Sequence, residues 1–242
     1  MRGLGTIVNT LAVLLGGVFG LLFRRGIKES MQATLQKACG LATIFIGIAG
    51  ALAEMLTFAE GKFSTQGTLL LVFSMIIGTL IGEWIDIEHR LDTLSEKLKQ
   101  LARRTNDSTF DDAFVSATLV ICIGAMAVVG SLQDGITGDS STLFVKALLD
   151  FVIVMVFASS LGLGALFSAI PLAIYQGLIT LFAVLIAPYM TDAMISGLSF
   201  VGSVLICGVG INLTFGKTVK VANMLPALLV PVVYTLGQMI FQ

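Results

Sequence analysis

Apolar positions in this chain come in long unbroken runs, and the gaps between the runs hold nearly all of its charge. Runs close to the ~20 residues needed to cross a bilayer's hydrocarbon core recur from end to end. The pattern predicts eight spans, over 4–23, 40–58, 68–85, 113–132, 143–167, 169–187, 194–215 and 222–240. The fifth runs to about 25 residues, which calls for tilt, a break or an interfacial start. In the eighth, Asn223, Pro226 and Pro231 disturb the regularity. Residues 29–37 read as a short amphipathic segment at the interface, and Glu60, Lys62 and Ser64 as a polar loop. Residues 86–112 form a charged linker. There Glu88, Arg90, Asp92, Glu96, Lys97 and Lys99 alternate in sign around Leu91, Leu94, Leu98 and Leu101 at helical spacing. That predicts an amphipathic cytoplasmic helix, with Asn106-Asp107-Ser108 as its end and turn. The expected fold is all-α, a polytopic transmembrane helix bundle forming one integral membrane domain over 1–242.

Composition agrees. Apolar residues make up 56% of the chain and charged residues 12%, against roughly 25% charged in a soluble domain. Mean hydropathy is +0.98. The first apolar run is too long for a secretory signal and ends in Arg24-Arg25, so it reads as a span. With alternating spans, one side receives Arg24, Arg25, Lys28, Lys37, Arg90, Lys97, Lys99, Arg103, Arg104, Lys217 and Lys220. The other receives Arg2, Lys62 and, if it is interfacial, Lys146. Basic residues favour cytoplasmic loops, so both termini are expected outside.

Weak internal similarity runs through the apolar segments. Ala42-Thr43-Ile44-Phe45-Ile46-Gly47-Ile48 resembles Ala117-Thr118-Leu119-Val120-Ile121-Cys122-Ile123, and Thr68-Leu69 falls against Thr142-Leu143 at nearly the same offset. Spans two and three could thus repeat as four and five, an arrangement common in transporters, or the match is chance in apolar sequence. Gly78-x-x-x-Gly82 and other small-residue faces suit close helix approach and fit a homo-oligomer.

Candidate chemistry gathers between Gln133 and Gly177. Lys146 and Asp150, four apart, share a helix face and can pair. Measured from Thr142 they lie roughly 6 Å and 12 Å along the fifth span. Ionisable groups at membrane depth usually face a bundle interior or wet cavity; if the span starts later, the pair is an interfacial anchor. Asp134 and Asp139 flank the preceding Gly-rich turn, either as ordinary turn residues or as a vestibule attracting cations with Glu54, Glu60 and Asp192. Ser159, Ser160, Gly162, Gly164, Ser168 and Pro171 form either a tight packing face or a broken helix lining a passage. The turn before Pro171 carries no charge. Asn9, Gln176, Asn212 and Asn223 either bond between helices or line a common path. Glu83 and Asp86 read as capping or interfacial groups, and Lys217 and Lys220 as topology anchors.

Enzyme signatures are missing: there is no nucleophile elbow, zinc-protease motif, P-loop or dinucleotide fingerprint. The single histidine, His89, belongs to the charged linker. Cys39, Cys122 and Cys207 sit in apolar runs without metal-ligand spacing and read as small buried side chains, so no metal or cofactor is expected. Charges on the linker alternate and make no nucleic-acid stripe.

A further set of residues carries a resemblance. It comprises Gly5-Thr6-Ile7-Val8-Asn9 with Gly16-Gly17 and Gly20, Ala117-Thr118-Leu119 with Gly124-Ala125-Met126-Ala127 and Gly130-Ser131, and Lys146, Asp150, Gly162, Gly164 and Tyr175-Gln176-Gly177. Gly208, Gly210, Asn212, Lys217 and Ala222-Asn223-Met224-Leu225-Pro226 complete it. Over nearly its whole length the chain resembles a bacterial inner-membrane family of unknown function, the YqgA/YdfK type. The resemblance implies a multi-pass protein of that membrane and transfers no activity. Phe151 stands where that pattern expects a glycine after the aspartate, which argues against close backbone approach there. The expected function is passage of an ion or small polar solute past Lys146, Asp150, Ser159, Ser160 and the four amides. The alternative is a structural or regulatory protein acting on a partner through its cytoplasmic helix.

Overall fold

The first helix, α1 (Leu4–Arg24), shows how this chain packs. Its buried face is Gly5, Thr6, Asn9, Val13, Gly16, Gly17 and Gly20, whereas Ile7, Leu11, Leu15, Val18, Phe19, Leu22 and Phe23 stay exposed. In water that order would be inside out. Lipid solvates leucine as well as a protein core does, so close contact and hydrogen bonds, not apolar burial, hold helices together there.

The computed structural model describes residues 2–24, 26, 28–59, 61–101, 109–123 and 125–241. After α1 come α2 (Glu29–Met55), the strands β1 (Leu56–Ala59) and β2 (Lys62–Thr65), α3 (Thr68–Ile85) and α4 (Ile87–Leu101). Then follow α5 (Phe110–Cys122), α6 (Ala125–Ile136), α7 (Ser141–Ser160), α8 (Gly164–Phe167), α9 (Ala169–Leu181) and α10 (Ala183–Ile186). A 3-10 turn (Ala187–Tyr189), α11 (Asp192–Phe215), a 3-10 stretch (Val221–Leu228) and α12 (Leu229–Phe241) complete the order. Among the described residues, seven helices are long and apolar enough to cross a membrane, and eight if the bent pair α5 and α6 is one span. The protein is an all-α polytopic helix bundle.

Several boundaries differ from the expectation, each for a local reason. Residues 29–37 are not a separate interfacial segment but the start of α2, since nothing from Met31 to Lys37 stops a helix. The expected polar loop is a hairpin in which Phe58 pairs with Phe63 and Thr57 with Ser64. Its aromatic and β-branched residues favour strand, and Gly61, at φ 75°, makes the turn. The long fifth span breaks: α7 ends at Ser160 and the chain reverses at Gly162, whose φ of 104° suits glycine. Pro171 therefore lies in the first turn of α9, where a missing N–H is harmless. Arg24 brings a charge to that uncharged reversal: its guanidinium lies against Gly162 and donates to the Ser160 carbonyl at 3.4 Å. Where the apolar pattern predicts a fourth span, α5 and α6 meet at an angle of 59°, as a broken span or a re-entrant pair does. Arg25, Glu60, Arg103, Arg104, the turn at Asn106-Asp107-Ser108 and Gly124 lie outside the described residues.

The chain divides into two compact units, residues 1–39 with 91–188 and residues 40–90 with 189–242. In unit 1, α1 runs parallel to α7. A Cβ at Gly16 would collide with the Phe151 carbonyl oxygen, and one at Gly20 with the Met155 carbonyl oxygen. The close approach doubted at Phe151 is thus made, with the glycine supplied by the facing helix. The Phe151 ring meets Phe19 edge-on at 6.0 Å. Unit 2 repeats the device twice. Gly40, Gly47 and Gly50 of α2 seat against α11, and Gly78 and Gly82 of α3 seat against Ala227 and Asn223.

Gly20→Ala should lower the thermal unfolding midpoint in detergent, since overpacking against backbone costs about 1–3 kcal/mol. Gly177→Ala should leave it unchanged or raise it slightly, because a Cβ there meets nothing within 4 Å. Equal midpoints for both variants would refute glycine-dependent packing of α1.

Candidate functional site

Helical spacing puts Lys146 and Asp150 on one face of α7, and in unit 1 that face is turned inward. Lys146 is 5% and Asp150 2% exposed. Lys146 Nζ lies 2.8 Å from Asp150 Oδ2 and donates to the Ile121 carbonyl at 2.7 Å. Ile121 occupies the last turn of α5, where carbonyls have no helical N–H to accept from. The break between α5 and α6 thus creates an acceptor, and the ammonium meets it.

Asn9 closes the other side. Its Nδ2 donates to Asp150 Oδ2 at 2.9 Å and to Gln176 Oε1 at 3.2 Å. Asn9 and Gln176 have no exposed surface. Four elements, α1, α5, α7 and α9, therefore converge on one buried charge pair. The network is incomplete: among the described residues, Asn9 Oδ1 and Gln176 Nε2 have no hydrogen-bond partner. Two hydroxyls of the same unit, Thr118 and Ser131, share that condition. An unmet buried group costs about 1–3 kcal/mol, so a vacant acceptor and a vacant donor side by side are not indifferent.

Polar contacts continue from this cluster toward the N-terminal end of α1. The Thr6 and Thr180 hydroxyls are 3.1 Å apart. Asp134, fully buried, accepts from Gly5 N at 3.1 Å and from Ser140 Oγ at 2.9 Å. Toward the C-terminal end the same face of α1 changes character, with Val13, Gly16, Gly17 and Gly20 packed onto α7 and α8. One half of the α1 face is polar and the other half is sealed by backbone contact.

Of the residues singled out from sequence, the structure unites Asn9, Lys146, Asp150 and Gln176. It separates the rest. Asp134 is not in a loop: α6 continues to Ile136 and carries it inward. Asp139 is exposed and accepts from Ser141 N at 3.0 Å; that N–H and the Ser141 hydroxyl hold its carboxyl below the usual range. Ser159 and Ser160 donate back to the Val156 carbonyl within α7, as helix serines often do. Asn212 folds the chain after α11, its Oδ1 accepting from Thr218 N and Val219 N. Asn223 ties unit 2 locally, accepting from Glu88 N at 2.7 Å and donating to Glu83 at 3.1 Å. Glu83 also pairs with Lys220 at 3.0 Å, and Glu88 with Lys217 at 3.3 Å.

Sequence reasoning missed the Ile121 carbonyl, since only the helix bend exposes it and no side chain announces it. It also missed the Thr6–Thr180 pair. There the available signal was spacing, Thr6 lying three residues before Asn9 on the small-residue face of α1.

Relatives agree on the kind of protein. The chain is 31% identical over 227 residues to the uncharacterized membrane protein YdfK of Bacillus subtilis (strain 168), covering 94% of this chain and 93% of that one. It is 33% identical over 230 residues to the uncharacterized protein YqgA of Escherichia coli (strain K12), covering 93% of each. No solved structure matches it. Residues 4–236 match the family described as protein of unknown function (DUF554), and this membrane protein belongs to that family.

Proposed function

We propose that this protein passes an ion or small polar solute across a bacterial inner membrane through unit 1, with Lys146, Asp150, Asn9 and Gln176 as its binding site. The observation carrying the proposal is a buried charge pair beside one vacant acceptor, Asn9 Oδ1, and one vacant donor, Gln176 Nε2. A bracing network would be expected to close on itself. This one offers a solute both halves of a hydrogen-bonded seat next to two opposite charges. Irregular backbone at membrane depth is tolerated where it is buried or lines a cavity, and the α5–α6 bend meets that condition at Ile121.

The basic residues favour an outside N-terminus. On that orientation, the polar half of α1, with Asp134 and the threonine pair, leads inward from the outer face. The glycine half closes the route to the cytoplasm. Release inward then requires α1 to part from α7 around Gly16 and Gly20. In α4, Ser95 and Lys99 are spent on Asp111, at 2.6 Å and 3.3 Å. That favours α4 as a brace over the alternative of a partner-binding device.

In proteoliposomes assayed with radiolabelled rubidium, sodium and neutral amino acids, Asp150→Asn should abolish the flux seen with wild type while leaving insertion intact. Lys146→Met alone should destabilise the fold by about 3–5 kcal/mol, because it leaves a buried carboxylate unpaired. The double variant Lys146→Met/Asp150→Leu should recover stability, since apolar replacement of a buried pair is often neutral or better. Its flux should stay at background. Wild-type flux in the double variant would make the pair merely structural, and absence of flux from wild type across the panel would remove the proposal's support.

A further inference from the structure

Unit 2 holds a cavity that the proposed path does not use. Its volume is about 280 Å³, and it lies where α2 ends, α3 and α11 begin and α12 passes. Glu54 brings a carboxylate to its wall, Gln66 and Gln238 bring carboxamides, and Ser196, Thr235 and Tyr234 bring hydroxyls. Phe200 and Leu70 make the remainder apolar. Among the described residues, no lysine or arginine lines it.

Each feature narrows the ligand. Among the described residues, the Glu54 carboxylate accepts one hydrogen bond, from the Ser196 hydroxyl. A carboxylate offers about four lone-pair sites, so most of its accepting capacity remains for a guest. An uncompensated carboxylate selects a cation. A bare divalent ion needs six or more oxygens at short range, and one carboxylate with apolar walls does not supply them. The volume exceeds what a single small ion occupies and sits at the lower edge of small-molecule sites. Aromatic faces at Phe200 and Tyr234 suit an ammonium group. Amide and hydroxyl oxygens around Glu54 suit N–H donors over a fully methylated head.

We infer that the Glu54 cavity binds a small organic cation bearing a primary ammonium and a short apolar tail. The ammonium rests on Glu54 with the neighbouring oxygens, and the tail lies on Phe200 and Leu70. The local fold tolerates an open seat here because the α2 end is held by other bonds: Gln66 Nε2 donates to the Glu54 carbonyl, and Gln66 N donates to Met55 O. Gly67 leaves room beside the Phe200 ring, where a Cβ would lie 3.1 Å from it.

The full chain in lipid nanodiscs tests this by thermal unfolding against n-butylammonium, with 1-butanol and butyrate as neutral and anionic isosteres. Butylammonium should raise the midpoint saturably at concentrations below about 10 mM. Neither isostere should do so. Glu54→Gln, which can still accept from Ser196, should fold as wild type and lose the response at least tenfold. Gln238→Leu should weaken it severalfold, and the double variant Lys146→Met/Asp150→Leu, in which no buried charge is left unpaired, should leave it intact, which separates this site from the path in unit 1. An equal response in wild type and Glu54→Gln, an equal response to butanol, or none to butylammonium would each overturn the assignment.

Discussion

Helices surrounded by hydrocarbon gain little from burying leucine against each other, and this constraint orders everything else in the structure. Contact has to come from backbones drawn close, and that needs positions without bulk. The chain supplies them at Gly16 and Gly20 against α7, at Gly47 and Gly50 against α11, and at Gly78 and Gly82 against the Val221–Leu228 stretch. Large apolar residues are thereby freed to face outward, which is why Trp84 and Leu80 of α3 are exposed while Ser74, Gly78 and Gly82 are buried.

Close packing of α1 on α7 has an electrostatic consequence. It removes Lys146 and Asp150 from solvent and lipid alike, leaving only neighbouring side chains and backbone to solvate them. Desolvating two charges costs several kcal/mol per ion unless geometry and further hydrogen bonds repay it. Here Ile121 O and Asn9 Nδ2 supply the repayment, one for each charge. A helix break and an asparagine about two to three turns from a glycine crossing are parts of one solution. Straightening α5 into α6 would take the Ile121 acceptor from Lys146, and shifting α1 by a turn would take Asn9 from Asp150.

How legible this was in the sequence depended on how local the cause was. Apolar runs revealed the span pattern, because each acts over a single segment. Lys146 and Asp150 were readable as a pair from i, i+4 spacing alone. Asn9 and Gln176 were visible as polar residues in apolar runs, but nothing local distinguished them from Asn212 and Asn223. That distinction is tertiary: the first two face the charge pair, while the other two tie turns and helix ends of unit 2. Asp134 misled because Gln-Asp-Gly is good turn chemistry, and burial against Gly5 N overrode it. The hairpin at 56–65 was hidden behind an apolar run whose aromatic and β-branched residues suit helix or strand in lipid-facing sequence.

The two halves of α1 also constrain any mechanism. Gly5, Thr6 and Asn9 hold their partners by side-chain or single N–H contacts, which can exchange with a passing solute. Gly16 and Gly20 hold theirs by backbone in direct contact, which cannot exchange and can only separate. Under the proposed transport role, a solute would reach Asp150 from the polar half by replacing hydrogen bonds one at a time, but would leave through the glycine half only if helices moved. Arg24 stands at the end of that second half, bound to Ser160 O beside the Gly162 reversal that joins α7 to α8. Any separation of α1 from α7 must release this guanidinium from the turn as well. In that proposed role, the barrier on the glycine side is a packed seam fastened by the Arg24–Ser160 hydrogen bond, and the approach on the polar side is a ladder of replaceable ones.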